Sequence, residues 1–467
     1  MFILEGKGIN MKSCSKTIND VIPCSTFNEF VEKICLWYGD AIAFRNYDNS
    51  WSYYDLYCMI QKLLSYFIVS KNSYFCIRIE NPVYFSVSFF AITISGKVAF
   101  LGEKEQEDFE FMEEVTEDII QKLLVSSEMS SFPQWCDSDK MSVIAQSSGT
   151  TSISKGVMLS QKNLLSDTFA GMQFYGYPQG AIYYNVLPYY HLFGIVADML
   201  GPLYSGSTIC FSDNKLNFFK DIQKFKPTNM NLPPAMIYTI ERMVDKTNDV
   251  ITVTGGRLKK IMCAGAHINE SSIDKLRNVG IMVYVAYGLT ECSPCISMNS
   301  EFSSKVGSVG KILPCCEVSI IDGEIAVRGE IVMLGYWKDM ISTNNTIRDG
   351  WLYTGDLGYL DDEGFLFLTG RKSNIIVFED GKKIIPEMIE AELNEINNVE
   401  ECLISKFQVD NRVNVNVTAV ISCENRNEIL QQIKCCLHKY GISNRVENVI
   451  LTTEQLPKNK LGKIIRK

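Results

Sequence analysis

A chain of 467 residues is too long for one ordinary core and predicts two to four domains or subdomains. Its 46% hydrophobic and 21% charged residues form a globular composition, which excludes a disordered or fibrous chain. A net charge of -9 argues against a general nucleic-acid or membrane-surface binder, although Lys458 to Lys467 carry five basic side chains, for which an RNA-binding tail is the competing reading. Met1 to Asn10 lack the basic region, apolar core and cleavage site of a signal peptide. Sixteen cysteines without framework spacing, among them Cys315-Cys316 and Cys435-Cys436, read as reduced thiols. Both features predict a cytoplasmic protein without structural disulfides.

Taken in chain order, the first long apolar stretch, Val83 to Leu101, is interrupted by Ser86, Ser88, Ser95, Gly96 and Lys97. A buried helix ended by Gly96 and followed by a buried strand from Val98 fits it better than a membrane span. Ser147-Ser148-Gly149-Thr150-Thr151-Ser152-Ile153-Ser154-Lys155-Gly156 then follows the apolar segment Met141 to Ala145. Backbone N–H groups in a small-residue turn, hydroxyl donors and an exit lysine compose a phosphate-holding loop; a Ser/Thr-rich surface loop has the same composition.

Strand-like runs at Ile182 to Leu187, Thr208 to Phe211, Ile261 to Ala264 and Ile281 to Ala286 alternate with helical stretches, the α/β pattern of a covered parallel sheet. After residue 305 the text becomes β-rich, and Asp322-Gly323 between Glu317 to Ile321 and Glu324 to Arg328 signals a hairpin. From Gly370-Arg371 onward, strands at Ile375 to Phe378, Lys383 to Ile385, Val413 to Ser422 and Val446 to Thr452 alternate with helices at Glu387 to Asn397 and Arg426 to His438. The predicted fold is α/β: a large N-terminal domain, 1–370, of α/β sheet subdomains plus a β-rich subdomain, with a small mobile α+β C-terminal domain, 371–467.

Four further clusters follow the Ser147 loop: Tyr287-Gly288-Leu289-Thr290-Glu291 after a buried strand, Tyr353-Thr354-Gly355-Asp356, Gly370-Arg371, and Leu456-Pro457-Lys458-Asn459-Lys460-Leu461-Gly462-Lys463-Ile464. In this order the five resemble the adenylate-forming superfamily of acyl-CoA synthetases, aryl-CoA ligases, luciferase and peptide-synthetase adenylation domains, over residues 80 to 467. Trp51-Ser52-Tyr53-Tyr54-Asp55-Leu56 is similar to a run near the start of such enzymes.

The resemblance implies an ATP-dependent acid–thiol ligase that forms an acyl-adenylate and then a thioester. ATP and Mg²⁺ are the implied cofactors. The partners are a carboxylic acid, with fatty acid the leading choice, and a thiol from coenzyme A or the phosphopantetheine of an acyl carrier protein. Each residue type suits its implied role. Ser147, Ser148, Gly149, Thr150, Thr151 and Lys155 suit the departing phosphates, and Glu291 offers a hard oxygen to Mg²⁺. Thr290 can donate to the α-phosphate and Tyr287, beside Gly288, can stack on adenine. Asp356 can accept both ribose hydroxyls with Arg371 in support, and Lys463 brings a point charge between carboxylate and α-phosphate. Read blandly, Asp356 is a turn residue, Glu291 a helix-capping acid and Lys463 solvated tail charge.

Leu187-Pro188-Tyr189-Tyr190-His191-Leu192-Phe193-Gly194 resembles the fatty-acyl and aryl-CoA branches, where His191 would lie beside the substrate carboxylate; a core histidine is its alternative. Gly265-Ala266 resembles the stretch where backbone approaches adenine and acyl pocket together. Departures from the family pattern are Ser152 and Ser154 in the loop, Gln161 where a histidine is usual, Ser373 at the hinge expected two residues after Arg371, and a shortened region from Gly102 to Lys140. Gly381 would line the thiol's approach. Three of these departures, Ser152, Ser154 and Gln161, keep a catalytically inactive adenylate-binding relative as the non-enzyme reading. A zinc or thiol-disulfide role for Cys292-Ser293-Pro294-Cys295 lacks partners at metal spacing, and no P-loop run exists.

Overall fold

The computed structural model describes residues 23–102, 109, 112–133, 137–147, 155–212, 217–409, 412–422, 425–458 and 464–466. The expected fold class holds: large mixed sheets covered by helices, a β-rich segment and an α+β C-terminal part.

A nine-stranded sheet has a parallel centre, ordered Met282–Tyr287, Lys260–Cys263, Asn229–Leu232, Ile182–Tyr184, Thr208–Cys210 and Ile42–Arg45, with short antiparallel strands at both ends. A six-stranded sheet runs Gly335–Tyr336, Gly156–Ser160, Met141–Gln146, Val98–Leu101, Tyr74–Arg78 and Glu113–Thr116. Its first two strands are antiparallel and its last four parallel. The expected strands of the α/β region are all present, within a few residues at their ends.

Val83 to Leu101 resolves into the helix Pro82–Ile94 and the strand Val98–Leu101, with Gly96 at a φ of 75° between them. That helix is buried on nearly every side, so its hydroxyls bond within it: Ser86 Oγ donates to Pro82 O (2.7 Å), and Thr93 Oγ1 to Phe89 O (2.8 Å). Among the described residues no helix is long and apolar enough to cross a membrane. Trp51 to Leu56 is a helix start: Ser52 and Asp55 form a capping box for Tyr53–Val69.

The hairpin falls where expected, with Ile321 opposite Glu324 and both turn residues at positive φ, Asp322 at 51° and Gly323 at 80°. In the C-terminal part the sheet is Val399–Val409, Arg412–Ile421 and Val446–Thr452, carried with the helices Pro386–Asn394 and Arg426–Lys439. The strand Val399–Val409 is an addition to the expected elements. Its alternation is blurred by Glu400, Glu401 and Ser405 beside Cys402, Leu403 and Ile404. The basic tail is neutralised rather than displayed where it is described, since Lys458 pairs with Glu401 and Arg466 Nη1 donates to Glu390 Oε1 (2.8 Å).

Gln161, the departure at the start of the helix Gln161–Tyr175, ties three elements together. Its Oε1 accepts from Phe27 N (2.7 Å) and its Nε2 donates to Thr93 O (3.2 Å), both buried. Gln161→Leu strands Phe27 N at about 1–3 kcal/mol and takes one of its donors from Thr93 O, which keeps Gly96 N (3.2 Å). The midpoint of denaturant unfolding is therefore expected to fall markedly; a variant as stable as the parent contradicts the tie.

Candidate active site

The carboxyl end of the strand Met282–Tyr287 delivers Tyr287, and the long strand Trp351–Leu360 delivers Asp356 to the same place. Tyr287 Oη donates to Asp356 Oδ2 (2.8 Å), and Arg371 Nε donates to Asp356 Oδ1 (2.7 Å). Burial first, and then the negative charge of Asp356, hold the Tyr287 phenol well above its usual range, so it stays a donor. The turn beneath is fixed by Glu324, a buried carboxylate whose Oε1 accepts from Gly355 N (3.0 Å) and whose Oε2 accepts from Lys372 Nζ (2.7 Å). Gly288 has no alternative, because a Cβ there would lie 1.8 Å from Pro294 O.

A second group forms around Glu291. Tyr336 Oη donates to Glu291 Oε1 (2.9 Å), and Lys155 Nζ sits 4.8 Å from the Tyr336 ring centre. Lys155 Nζ also donates to Ser342 Oγ (2.6 Å) and lies 4.0 Å from Asp339 Oδ2. Ser147 closes the neck of the phosphate-type loop: its N donates to Lys155 O (2.9 Å) and its Oγ accepts from Lys155 N (3.2 Å). Ser148, Gly149, Thr150 and Thr151 lie outside the described residues, as do Ser152, Ser154 and Lys463. Thr290 opens the short 3-10 turn Thr290–Cys292 next to Glu291. The Glu291 carboxylate, with about four acceptor positions of which Tyr336 fills one, suits a hard divalent cation such as Mg²⁺.

The structure thus gathers Tyr287, Asp356 and Arg371 in one group and Ser147, Lys155 and Glu291 in another, with only Gly288, Leu289 and Thr290 in sequence between Tyr287 and Glu291. Gly265 turns at a φ of 93° with open space where a Cβ would stand, and Ala266 follows it. His191 makes its ring contact with Tyr190, 4.6 Å between centres, and burial lowers its pKa, favouring the neutral imidazole. Sequence reasoning missed Tyr336, Ser342 and Glu324. Asp339 as N-cap of Met340–Thr346, bonded to Ser342 N, was readable as a helix start, but nothing local shows that this helix meets Lys155. Among the described residues no group of three metal-ligating side chains includes Cys292 and Cys295.

The loop bearing His191 is held from behind by Asp198. Its Oδ2 accepts from Asn185 Nδ2 (3.1 Å) and Leu187 N (3.3 Å), and its Oδ1 from Asn231 Nδ2 (2.6 Å). Gly194 completes the loop, since a Cβ there would stand 2.5 Å from Pro188 O.

The AMP-binding enzyme family model matches residues 97–337. 4-Coumarate--CoA ligase 3 of Oryza sativa subsp. japonica is 28% identical over 357 residues, covering 70% of this chain and 63% of that protein. The long-chain-fatty-acid--CoA ligase of Bacillus subtilis is 27% identical over 360 residues, 73% of this chain and 63% of that one. The chain therefore covers less than two thirds of the length of these curated relatives. Among solved structures, o-succinylbenzoate CoA synthetase from Bacillus subtilis, in complex with the acyl-adenylate OSB-AMP, aligns with a TM-score of 0.78 at 21% identity over 94% of this chain and 96% of that one. The anthranilate CoA ligase AuaEII with anthranoyl-AMP aligns at 0.82 and 16% identity, over 96% and 97%. These two likenesses establish the fold.

Burial raises the Asp198 carboxyl from 3.8 to about 7 despite the donors around it. A folded-state pKa above the unfolded one contributes stability that is full below pH 3.8 and is lost as pH rises through about 7. In Asp198→Asn this slope is expected to flatten in unfolding measurements at about pH 4.5 and pH 7.5; an undiminished slope contradicts the assignment.

Proposed function

The chain belongs to the AMP-binding enzyme family, and we propose that it is an ATP-dependent acid–thiol ligase. A carboxylate oxygen attacks the α-phosphorus of ATP, pyrophosphate leaves, and the acyl-AMP so formed is attacked at its carbonyl carbon by a thiol, releasing AMP. The observation that carries this reading is the shared carboxylate of Asp356, held by Tyr287 and Arg371 at the carboxyl end of the parallel sheet.

Asp356 keeps acceptor capacity on each oxygen for the ribose hydroxyls. Arg371 braces the carboxylate and Tyr287 offers its ring to adenine beside Gly288, Gly265 and Ala266. Ser147 and Lys155 flank the run Ser148, Gly149, Thr150 and Thr151, whose hydroxyls and N–H groups serve the departing phosphates, and Thr290 donates to the α-phosphate. Glu291 would hold Mg²⁺, which supplies charge neutralisation at the phosphates when bound. His191, neutral, stands by the acid. Lys463 brings its charge to the reacting oxygens.

The division at Gly370-Arg371 belongs to the same proposal. It is supported by an apolar cluster running from Ile376 to Ile442 that includes no residue before 376. Coenzyme A as acceptor is supported by the names of the related ligases. A fatty or an aryl acid is compatible with them equally. Turnover by a catalytically competent chain is favoured over a decayed one because Gln161 has its own structural task.

The test is pyrophosphate release from ATP and Mg²⁺ across aryl, short, medium and long-chain acids, with CoA or holo carrier protein added separately. Release that depends on an acid supports the proposal, and silence with every acid while ATP still binds contradicts it. Asp356→Ala is expected to weaken ATP binding by about 1.5–3 kcal/mol, the scale of charge-assisted hydrogen bonds, in calorimetric titration; unaltered affinity would remove Asp356 from the site. Lys463→Ala is expected to abolish adenylation while sparing thioester formation from supplied acyl-AMP, and equal loss of both half-reactions contradicts its role.

A further inference from the structure

One face of the parallel sheet concentrates buried polar groups that the chemistry above does not use. Tyr284, Asn229 and Asn231 project from it, opposite the helix end at Tyr175, with Tyr183 alongside on the neighbouring strand. All five residues are at most 2% exposed. The three phenol oxygens, Asn229 Nδ2 and Asn231 Oδ1 nevertheless have no hydrogen-bond partner. The Asn229 amide stands beside the Tyr175 and Tyr183 phenols without completing a bond to either. Asn231 is locked by donating to Asp198 Oδ1 (2.6 Å) and Ala197 O (2.8 Å), which leaves its Oδ1 as a fixed acceptor.

Native interiors hold few such orphans, because each one forfeits hydration without recompense. Five on one face call for a ligand that satisfies them. The face runs toward the candidate site: Ala286, two residues after Tyr284 and on the same face, stands directly before Tyr287 at the strand's carboxyl end. Ala286 on the sheet and Ala197 opposite belong to the same packed cluster as Tyr175 and Tyr284, with Met262 between Asn231 and Tyr284. Two cations stand beside this floor and both are paired: Lys260, 5.9 Å from the Tyr175 ring centre, with Glu301 at 2.7 Å, and Arg277, beside Tyr284, with Asp274 at 2.7 Å.

We propose, resting on the acid-activating reading above, that these five groups receive the tail of the acid. The preferred substrate then carries an uncharged oxygen function, hydroxyl or carbonyl, in its tail. A hydrocarbon tail would seal the orphans unsatisfied, whereas a hydroxyl or carbonyl meets the donors, and a hydroxyl also meets the Asn231 acceptor. A second carboxylate is disfavoured because Lys260 and Arg277 are already paired.

The test uses the full chain and pairs of acids matched in length, an ω-hydroxy or para-hydroxyaryl acid against its unsubstituted parent, with pyrophosphate release as the readout. The oxygenated member is expected to be favoured at least about tenfold in kcat/KM. Tyr183→Phe and Tyr284→Phe are expected to move that ratio toward one. Because the ratio is taken within each protein, partial loss of folded variant does not enter it. A ratio of one or less in the parent overturns the inference, with buried water satisfying the orphans, and leaves the ligase reading standing. Release with no member of any pair refutes the ligase reading and this inference with it.

Discussion

The carboxylate of Asp356 joins three segments distant in sequence: the strand end at Tyr287, its own turn after Thr354, and Arg371 at the start of the C-terminal part. Each partner is a donor, one neutral and one cationic, so the buried charge is compensated twice, as a buried carboxylate requires. Glu324 repeats the device one layer below, taking Gly355 N and Lys372 Nζ on separate oxygens. Two acids thus fix both the turn that presents Asp356 and the pair of basic residues, Arg371 and Lys372, from which the remaining chain departs. The strand end at Tyr287 and the short turn Thr290–Cys292 that carries Glu291 are separated by only Gly288 and Leu289, so the two groups stay close.

The Glu291 side is organised differently, through a helix start rather than a strand. Asp339 caps Met340–Thr346, and the Ser342 hydroxyl at that start receives Lys155. Tyr336, on the edge strand paired with Gly156–Ser160, reaches Glu291 while its ring faces the same lysine. Lys155 is therefore held, half-exposed, by the Ser342 hydroxyl, the Tyr336 ring and the Asp339 carboxylate at 4.0 Å.

Local signals in the sequence carried well. The hairpin at Asp322-Gly323, the helix end at Gly96 and the alternating strands between 182 and 287 depend on neighbouring residues, and the structure has them all. Readings that depended on distant partners fared otherwise. Gln161 looked like a defect in a catalytic motif, but its bonds reach Phe27 and Thr93, 134 and 68 residues away. Tyr336 carried no mark of its link to Glu291, 45 residues earlier. The polar face of Tyr175, Tyr183 and Tyr284 was hidden because tyrosine in an apolar run looks like core, and only the fold shows that its hydroxyls meet nothing.

The most direct test of the account follows an oxygen atom. With an acid labelled with ¹⁸O in its carboxylate, turnover with ATP and a thiol should leave one labelled oxygen in the AMP released, read by mass spectrometry, since the attacking oxygen stays on the α-phosphorus when the thioester forms. Label found in inorganic phosphate, or AMP without label, would contradict attack at the α-phosphorus and with it the assignment of Asp356, Glu291 and Lys463 to one adenylating site.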